Sequence, residues 1–526
     1  MNPDCRPVMT GGHEVLSAVR EMCGERGVLV PSSEICLAQL EVSPGLVTAV
    51  RRTLEDRFGI QVDSRILLAT PVGELHSLPP TPPRLLGQPS LLQASMLSSG
   101  ERANSYDAVS RLHSLAFEIR GALDVHALRD ACWEVMWRHE VLQSCFPDVA
   151  SPSAPVYRCG SDALRGAVTV REVSGEWDRR AFLEALHAPM DLENGPLFRV
   201  IIEGGADLWL FGFAFERIIA DEISVHEIWT EEISAAYEAR VTNGEPTSIA
   251  SACQYYDHAA WQRARLDFGR EVRLVEQWRS ELEDMSQCPP LQVDEFEPFH
   301  ENPQSEVVEA VPLGAQLSTA LSAAMQNRRA AAREVWLTAL TRATARLNAA
   351  TSVSVITPIE GRSSPESRHL MGCFGDVTAL KVPIKPGESF ARTLGRVEYK
   401  MLEAPSRSAI PFRYALQAVA TTGPFATKSR APYLFLDVLP QVRTVDLSLA
   451  GLQVFPIGGH SSSERKWHAD VNIFPREKFG GWDICGTFAQ GSYSLPDLRR
   501  LLGQMRIEVS NWLILPEWGG TAFVGS

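Results

Sequence analysis

The chain has no C-x-x-C pair and no His/Cys cluster at metal-ligand spacing. Its ten cysteines, spread from Cys5 to Cys485, therefore read as small buried apolar residues, neither a zinc site nor a disulfide framework. It also lacks G-x-x-x-x-G-K-[ST], G-x-G-x-x-G and G-x-S-x-G, which removes the motif support for nucleotide, dinucleotide and serine-hydrolase chemistry. His139-Glu140 has Gln143 where a second metal-binding His would stand. Positive charge is in short supply: 50 Lys plus Arg stand against 64 Asp plus Glu, a net of −14, with no footprint for nucleic acid or an anionic membrane surface. Long hydrophobic runs are missing too. Met1–Gly12 holds no apolar core of signal-peptide length, and the longest strongly apolar run, Leu208–Phe215, is far short of a membrane span. The expectation is a cytoplasmic protein with no nucleic-acid and no membrane partner.

What is present is ordinary globular composition, 45% hydrophobic and 22% charged, which argues against disorder and fibrous repeats. At about 150 residues per unit, 526 residues imply three to four folded units. The proline cluster Pro79-Pro80-Thr81-Pro82-Pro83 marks a semi-rigid linker, taken as residues 79–89. Before it, residues 1–78 carry a four-helix pattern. Val15, Leu16, Val19 and Met22 form one face, and Leu46, Val47, Val50, Leu54 and Phe58 a second that stops at Gly59. A short Ile66–Leu68 element and a helix over Val72–Leu78 follow. After the linker, helical faces alternate with β-rich runs: Ala127–Met136 is helical, Leu208–Phe215 a buried strand, Val335–Leu347 helical and Ser352–Thr357 a strand. The pattern is α/β in two lobes, residues 90–285 and 286–526, joined through the acidic segment 289–309.

Residues 1–78 resemble an acyl or peptidyl carrier domain of modular assembly lines. The family's Leu-Gly-x-Asp-Ser-Leu motif aligns with Leu40-Glu41-Val42-Ser43-Pro44-Gly45, which places Pro44 where the phosphopantetheine-bearing Ser belongs. Proline has no hydroxyl to carry an arm, so the resemblance implies a carrier fold with no covalent cofactor, and Ser43 reads as a helix N-cap with Pro44 at the first helical position. The rest of the chain resembles the condensation-domain superfamily of nonribosomal peptide synthetases. Arg138-His139-Glu140-Val141-Leu142-Gln143-Ser144-Cys145-Phe146 is similar to RHExLRTxF, and Met190–Arg199 to FDLExGPLFR. Tyr256-Asp257-His258-Ala259-Ala260-Trp261 fits a Tyr-x-Asp-Tyr-Ala-x-Trp neighbourhood. Thr357–Arg362 followed by Gly372–Asp376 resembles the TPxxGR and GxFVN pair. The resemblance implies two chloramphenicol-acetyltransferase-like lobes in a V shape, with a tunnel where the phosphopantetheine arms of two partner carrier proteins meet.

In that family the chemistry centres on HHxxxDG, whose second His handles the proton of the attacking amine. The corresponding stretch here is Glu216-Arg217-Ile218-Ile219-Ala220-Asp221-Glu222. Arg217 replaces the second His and cannot act as a base near neutrality, although a guanidinium can hold an oxyanion. Glu216 reads as a structural ion-pair partner, or as a base if burial raises its pKa. Asp221 matches the motif Asp, architectural in the family and paired with an Arg from the other lobe, here Arg362. Glu222 replaces a Gly and narrows the tunnel, Asp376 and Asp437 are further tunnel candidates, and Ser224 is expected to cap the helix through His226, Ile228 and Trp229. Arg138 and His139 are structural; His258, His460 and His468 are the other histidines weighed for proton transfer.

Two specialised relatives match the altered motif. Glu216, Asp221 and Ser224 resemble the DxxxxDxxS of heterocyclisation domains, with Asp437 like that subfamily's late acid. Arg217, Asp221 and Glu222 resemble the HRxxxDD of a noncatalytic recruitment domain from glycopeptide assembly lines. Three functions remain open on these residues: a condensation-type transferase without the usual His, acting on carrier-tethered thioesters; a silent adaptor that docks carriers or a tailoring enzyme; and, behind these, a heterocyclisation-type activity.

Overall fold

A computed structural model describes residues 12–40, 42–78, 84–98, 112–173, 178–242, 244, 253–266, 270–282, 306–362, 364–407, 409–420, 434–438, 447–458, 471–478, 481–489 and 493–514. The Pro79–Pro83 cluster, His460 and His468 lie outside these residues. In chain order the main elements begin with helices α1 (Gly12–Glu25), α2 (Pro44–Phe58) and α3 (Ser64–Ala69), then β1 (Leu85–Gly87), α4 (Leu91–Ser98), β2 (Leu112–Arg120), α5 (Val125–Arg138), β3 (Ser144–Cys145) and β4 (Val156–Arg158). Next come α6 (Ser161–Gly166), β5 (Val168–Glu172), α7 (Arg179–Leu186), β6 (Phe198–Gly205), β7 (Leu208–Glu216), α8 (Thr230–Val241), α9 (Tyr255–Leu266) and α10 (Arg270–Leu282). The remainder runs β8 (Glu306–Pro312), α11 (Ala315–Arg328), α12 (Ala332–Asn348), β9 (Ser352–Ile359), β10 (Asp376–Pro383), α13 (Phe390–Arg407), α14 (Phe412–Ala420), β11 (Leu434–Leu436), β12 (Gln453–Gly458), β13 (Val471–Lys478), β14 (Gly481–Ala489) and α15 (Leu495–Ile514). None of the described helices is long and apolar enough to cross a membrane.

The chain forms two compact units that do not follow its linear order. The first comprises Met1–Arg270, Arg362–Phe374 and Val445–Glu464, the second Glu271–Gly361, Gly375–Thr444 and Arg465–Ser526. A single cut near residue 285 therefore does not separate them. The strand β12 leaves its sequence neighbours because it pairs antiparallel with β2, and Arg362–Phe374 leaves because its backbone bonds to the turn after β7.

In the first unit a five-stranded sheet runs β12-β2-β7-β6-β5, antiparallel except for β5 beside β6. Every residue of β7 after Leu208 is buried, so the strand reads as a continuous apolar run covered on both faces. Gly212 allows the close approach of α7, since a Cβ there would lie 2.9 Å from both Leu186 and Phe182 side-chain atoms. A small sheet β1-β4-β3 stands beside it. Part of the expected linker thus becomes strand: Leu85 pairs with Tyr157, and Leu86 packs on the main core.

The N-terminal segment is helical throughout its main elements. Ser43 caps α2 by accepting from the Leu46 N–H, Pro44 sits in the first turn, and Gly59 ends the helix at φ 66°, a left-handed conformation that glycine adopts freely. The expected helix over Val72–Leu78 is instead a 3₁₀ turn, Val72–Ser77. Its first amides, Val72 and Gly73, donate to the Ile35 and Ser33 carbonyls at 3.0 and 2.8 Å, which ties the turn to a distant segment.

The second unit holds a six-stranded sheet, β10-β9-β11-β13-β14-β8, in which β11 lies parallel to β9 and β13. Helices α12, α13 and α15 supply its core: Trp336, Leu340, Leu394, Val397, Met505 and Trp512 are all buried. The expected helix over Val335–Leu347 and strand over Ser352–Thr357 lie within α12 and β9.

Candidate functional site

The sequence Glu216–Ser224 forms the turn that leaves β7. Phe215 anchors the strand end, with its ring 5.0 Å from Trp229, and Trp229 also meets Phe213 edge-on at 6.0 Å. Glu216 is buried at the last strand position, Arg217–Ile219 turn over it through the Ile219 amide to the Glu216 carbonyl at 3.0 Å, and Arg217 and Glu222 are part-exposed. The chain then reaches Asp221, which is 7% exposed.

Asp221 is fully engaged. Its Oδ1 accepts from Arg362 Nη2 at 2.7 Å and from the Ser224 amide at 2.8 Å, and its Oδ2 accepts from the Phe374 amide at 3.2 Å. Arg362 donates further to the Ser224 hydroxyl and the Leu370 carbonyl, each at 2.8 Å, and to the Ser367 carbonyl; its guanidinium lies 4.4 Å from the Phe374 ring centroid. The Gly372 carbonyl accepts from the Asp221 amide and the Ser224 hydroxyl, both at 2.9 Å, while its own amide donates to that hydroxyl at 3.0 Å. Only glycine fits at position 372, because a Cβ would stand 2.0 Å from the Tyr255 ring. A buried carboxylate is tolerated when a cation and amide donors replace its water, and Asp221 has both.

The geometry reassigns Ser224. The helical turn begins at Glu222, so the capping acceptor is Asp221, while Ser224 opens a π-helical turn, Ser224–Trp229, and points its hydroxyl at Gly372 and Arg362. Arg362 belongs to the same compact unit as Asp221, although it lies far beyond it in the chain.

Other expected residues fall in separate places. His139 is 1% exposed and its Nε2 lies 3.0 Å from both oxygens of Glu232, which also accepts from Arg138 at 2.7 Å. Burial alone would push the Glu232 carboxyl up, but His139 and Arg138 outweigh it and hold the group below the ordinary range. His258 is buried against Phe374 and Trp261, with ring centroids 5.1 and 5.3 Å away. Desolvation and the Arg362 charge push it down to about 4, so it is neutral at pH 7. Asp376 and Asp437 lie in the second unit. Asp376 opens β10 and accepts from the Phe412 amide at 2.9 Å through Oδ2; burial outweighs the Phe412 and Val377 amides and the Arg413 charge and pushes this carboxyl up to about 6. Asp437 follows β11, where its amide donates to the Ile473 carbonyl at 3.0 Å. Pro44 is buried in the first turn of α2.

Reading by motif left α9 without a role, yet it is the hub of the first unit. Tyr255 donates to the Cys373 carbonyl at 2.8 Å and accepts from the Ser90 hydroxyl at 2.9 Å, and burial holds its phenol well above the ordinary range, so it stays a donor. Asp257, 3% exposed, accepts from Thr48 at 2.6 Å, from Arg51 Nε and Nη2 at 2.9 and 3.1 Å, and from Ser64. Gln93 holds the turn itself by donating to the Ile218 carbonyl at 2.8 Å. The sequence signal for this helix is the Tyr256–Trp261 motif match, with Asp257 and His258 set among aromatic and alanine residues. Among the described residues no group of His, Cys, Asp and Glu could hold a metal, and the eight described cysteines are free, seven of them buried.

Comparisons with known proteins agree on one scaffold. Malpinin synthetase of Mortierella alpina is 26% identical over 451 residues, covering 85% of this chain and 6% of its own length. Phosphinothricin tripeptide synthetase PhsC of Streptomyces viridochromogenes is 27% identical over 317 residues, covering 59% of this chain and 29% of its own. The chain thus spans less than a third of these curated relatives. Among solved structures, the X-domain in complex with OxyB from teicoplanin biosynthesis superposes with a TM-score of 0.62 at 20% identity, over 84% of this chain and 95% of that one. The condensation domain of the monacolin K polyketide synthase MokA gives 0.63 at 19% identity, over 82% and 98%. The condensation-domain family model matches residues 104–511, well over half of the chain, and the protein belongs to the condensation-domain family.

Proposed function

We propose that this protein serves nonribosomal peptide assembly as a docking member of the condensation family, binding carrier-tethered intermediates, or a tailoring enzyme that acts on them, without base-catalysed amide formation. One observation carries the reading. The motif turn offers Arg217 where the family has its proton-handling His, while the Asp221–Arg362 pair keeps the architectural place it has in the family. The X-domain found with OxyB supplies a precedent for partner recruitment on this fold. The N-terminal helices fit a carrier-like module that bears no arm, since Pro44 stands at the attachment position.

The test is to mix the protein with donor and acceptor carriers bearing thioester-linked aminoacyl groups, following complex formation by calorimetry and product by mass spectrometry. Binding with no new amide is the expected result, and carrier-dependent amide formation overturns it. A second reading then takes over, favoured by the part-exposed Arg217 at the strand end. In it, the protein forms the bond by positioning, with Arg217 holding the oxyanion of the thioester carbonyl. Under that reading Arg217→Met lowers kcat by about a hundredfold, the usual cost of one oxyanion donor.

A further inference from the structure

The N-terminal helices are not merely tethered through the proline cluster. Three contacts seat them on the first unit. Asp257 on α9 is the buried acceptor for Thr48, Arg51 and Ser64, that is, for both α2 and α3. Trp261, one turn along α9, donates to the Val42 carbonyl at 2.6 Å, just ahead of α2. Ala260 completes the apolar cluster of the N-terminal helices, alongside Leu46, Val50 and Leu67. Domain contacts within a chain are by default wet and mobile; here a carboxylate 3% exposed has every lone-pair direction filled from the neighbouring helices.

The opposite side of α9 faces the motif turn. Tyr255 bonds the Cys373 carbonyl and its ring lies 5.2 Å from Phe374, while His258 sits between Trp261 and Phe374. Gly372 and Phe374 are the residues whose amides hold Ser224 and Asp221.

We propose that the N-terminal helical module is a brace for the candidate site. Seating α2 and α3 on Asp257 holds α9, and α9 through Tyr255 and His258 presses the Gly372–Phe374 backbone onto Asp221 and Ser224. Asp257 is a positioning residue in this scheme, and the scheme stands whether the site docks or catalyses. A shared, contiguous network permits coupling of this kind, and a measured response at the far end establishes it.

The experiment is hydrogen exchange by mass spectrometry on the full chain, comparing wild type with Asp257→Asn and the milder Arg51→Met, which carries the test if the first variant does not purify folded. Exchange in peptides covering α2 and α3 should rise about tenfold or more, and peptides covering Gly372–Phe374 should rise with them, while β13 and β14 stay unchanged. Arg51→Lys, which keeps the charge, should restore most of the protection in both places. Looser α2 and α3 with Gly372–Phe374 still protected overturns the brace, and unchanged exchange in α2 and α3 overturns the seat on Asp257.

Discussion

Two aspartates, one in each unit, are buried to nearly the same extent and live in opposite surroundings. Asp221 in the first unit is 7% exposed and Asp376 in the second is 8% exposed. Asp221 meets a guanidinium at 2.7 Å and two backbone amides, so its charge is answered where it sits. Asp376 opens β10 with the Phe412 amide on one oxygen; the Phe412 and Val377 amides and the Arg413 charge pull its carboxyl down, but desolvation outweighs them and pushes it up to about 6. Burial by itself therefore does not decide what a buried acid does. The partner set turns one into a fixed part of the architecture and leaves the other able to take up a proton in a mildly acidic range.

The largest effect is expected from breaking the satisfied member. Arg362→Met strands the Asp221 carboxylate and should lower stability by about 3–5 kcal/mol, read as a drop in the denaturant midpoint. Adding Asp221→Asn should recover a sizeable part, and a double-mutant cycle with no coupling energy would contradict the pairing.

The next comparison is of pH slopes. His258, held at about 4 in the first unit by desolvation and Arg362, is neutral in the fold and protonated in the unfolded chain below about 6.5. Its contribution is thus present above pH 6.5 and is lost as pH falls toward 4, by at most about 3 kcal/mol. His258→Phe, which keeps the ring packing, should flatten the acid side of the stability curve. Asp376 has the opposite sign: a folded value of about 6 favours its proton, so stability is lost as pH rises from about 4 through 6. Asp376→Asn should stabilise the protein by up to about 2–3 kcal/mol at pH 7.5 and by nothing at pH 3.5, measured as shifts in denaturant midpoint. Matching slopes in the two variants would erase the contrast between the units.

The smallest change is expected at the N-terminal helices. Pro44→Ser, incubated with a phosphopantetheinyl transferase and coenzyme A, should show no gain of the arm by intact mass, because position 44 is buried in the first turn of α2. A mass gain would mean that α2 leaves its seat on the first unit.

Local structure was legible in the sequence to a useful degree. The Leu208–Phe215 strand, the Ala127–Met136 helix, the Ser43–Pro44 entry to α2 and its stop at Gly59 follow from periodicity and from the chemistry of individual caps. The turn expected as a helix over Val72–Leu78 is the 3₁₀ turn Val72–Ser77, whose first amides bond Ile35 and Ser33, residues outside any local window. Ser224 was read as a cap for a similar reason: its hydroxyl is taken by Gly372 and Arg362, residues the local pattern cannot see.

By itself the sequence determined most of the elements, the ordered motifs that resemble the condensation family, and the presence of Arg217 in the turn after β7, since these depend on residue type and near neighbours. Only the tertiary structure decided that the two units interleave along the chain, that Thr48 meets Asp257 across 209 residues, and that Asp221 meets a guanidinium while desolvation outweighs the partners of Asp376. A side chain's burial and its partners are properties of distant segments brought together, and the charge state of a buried acid follows from them.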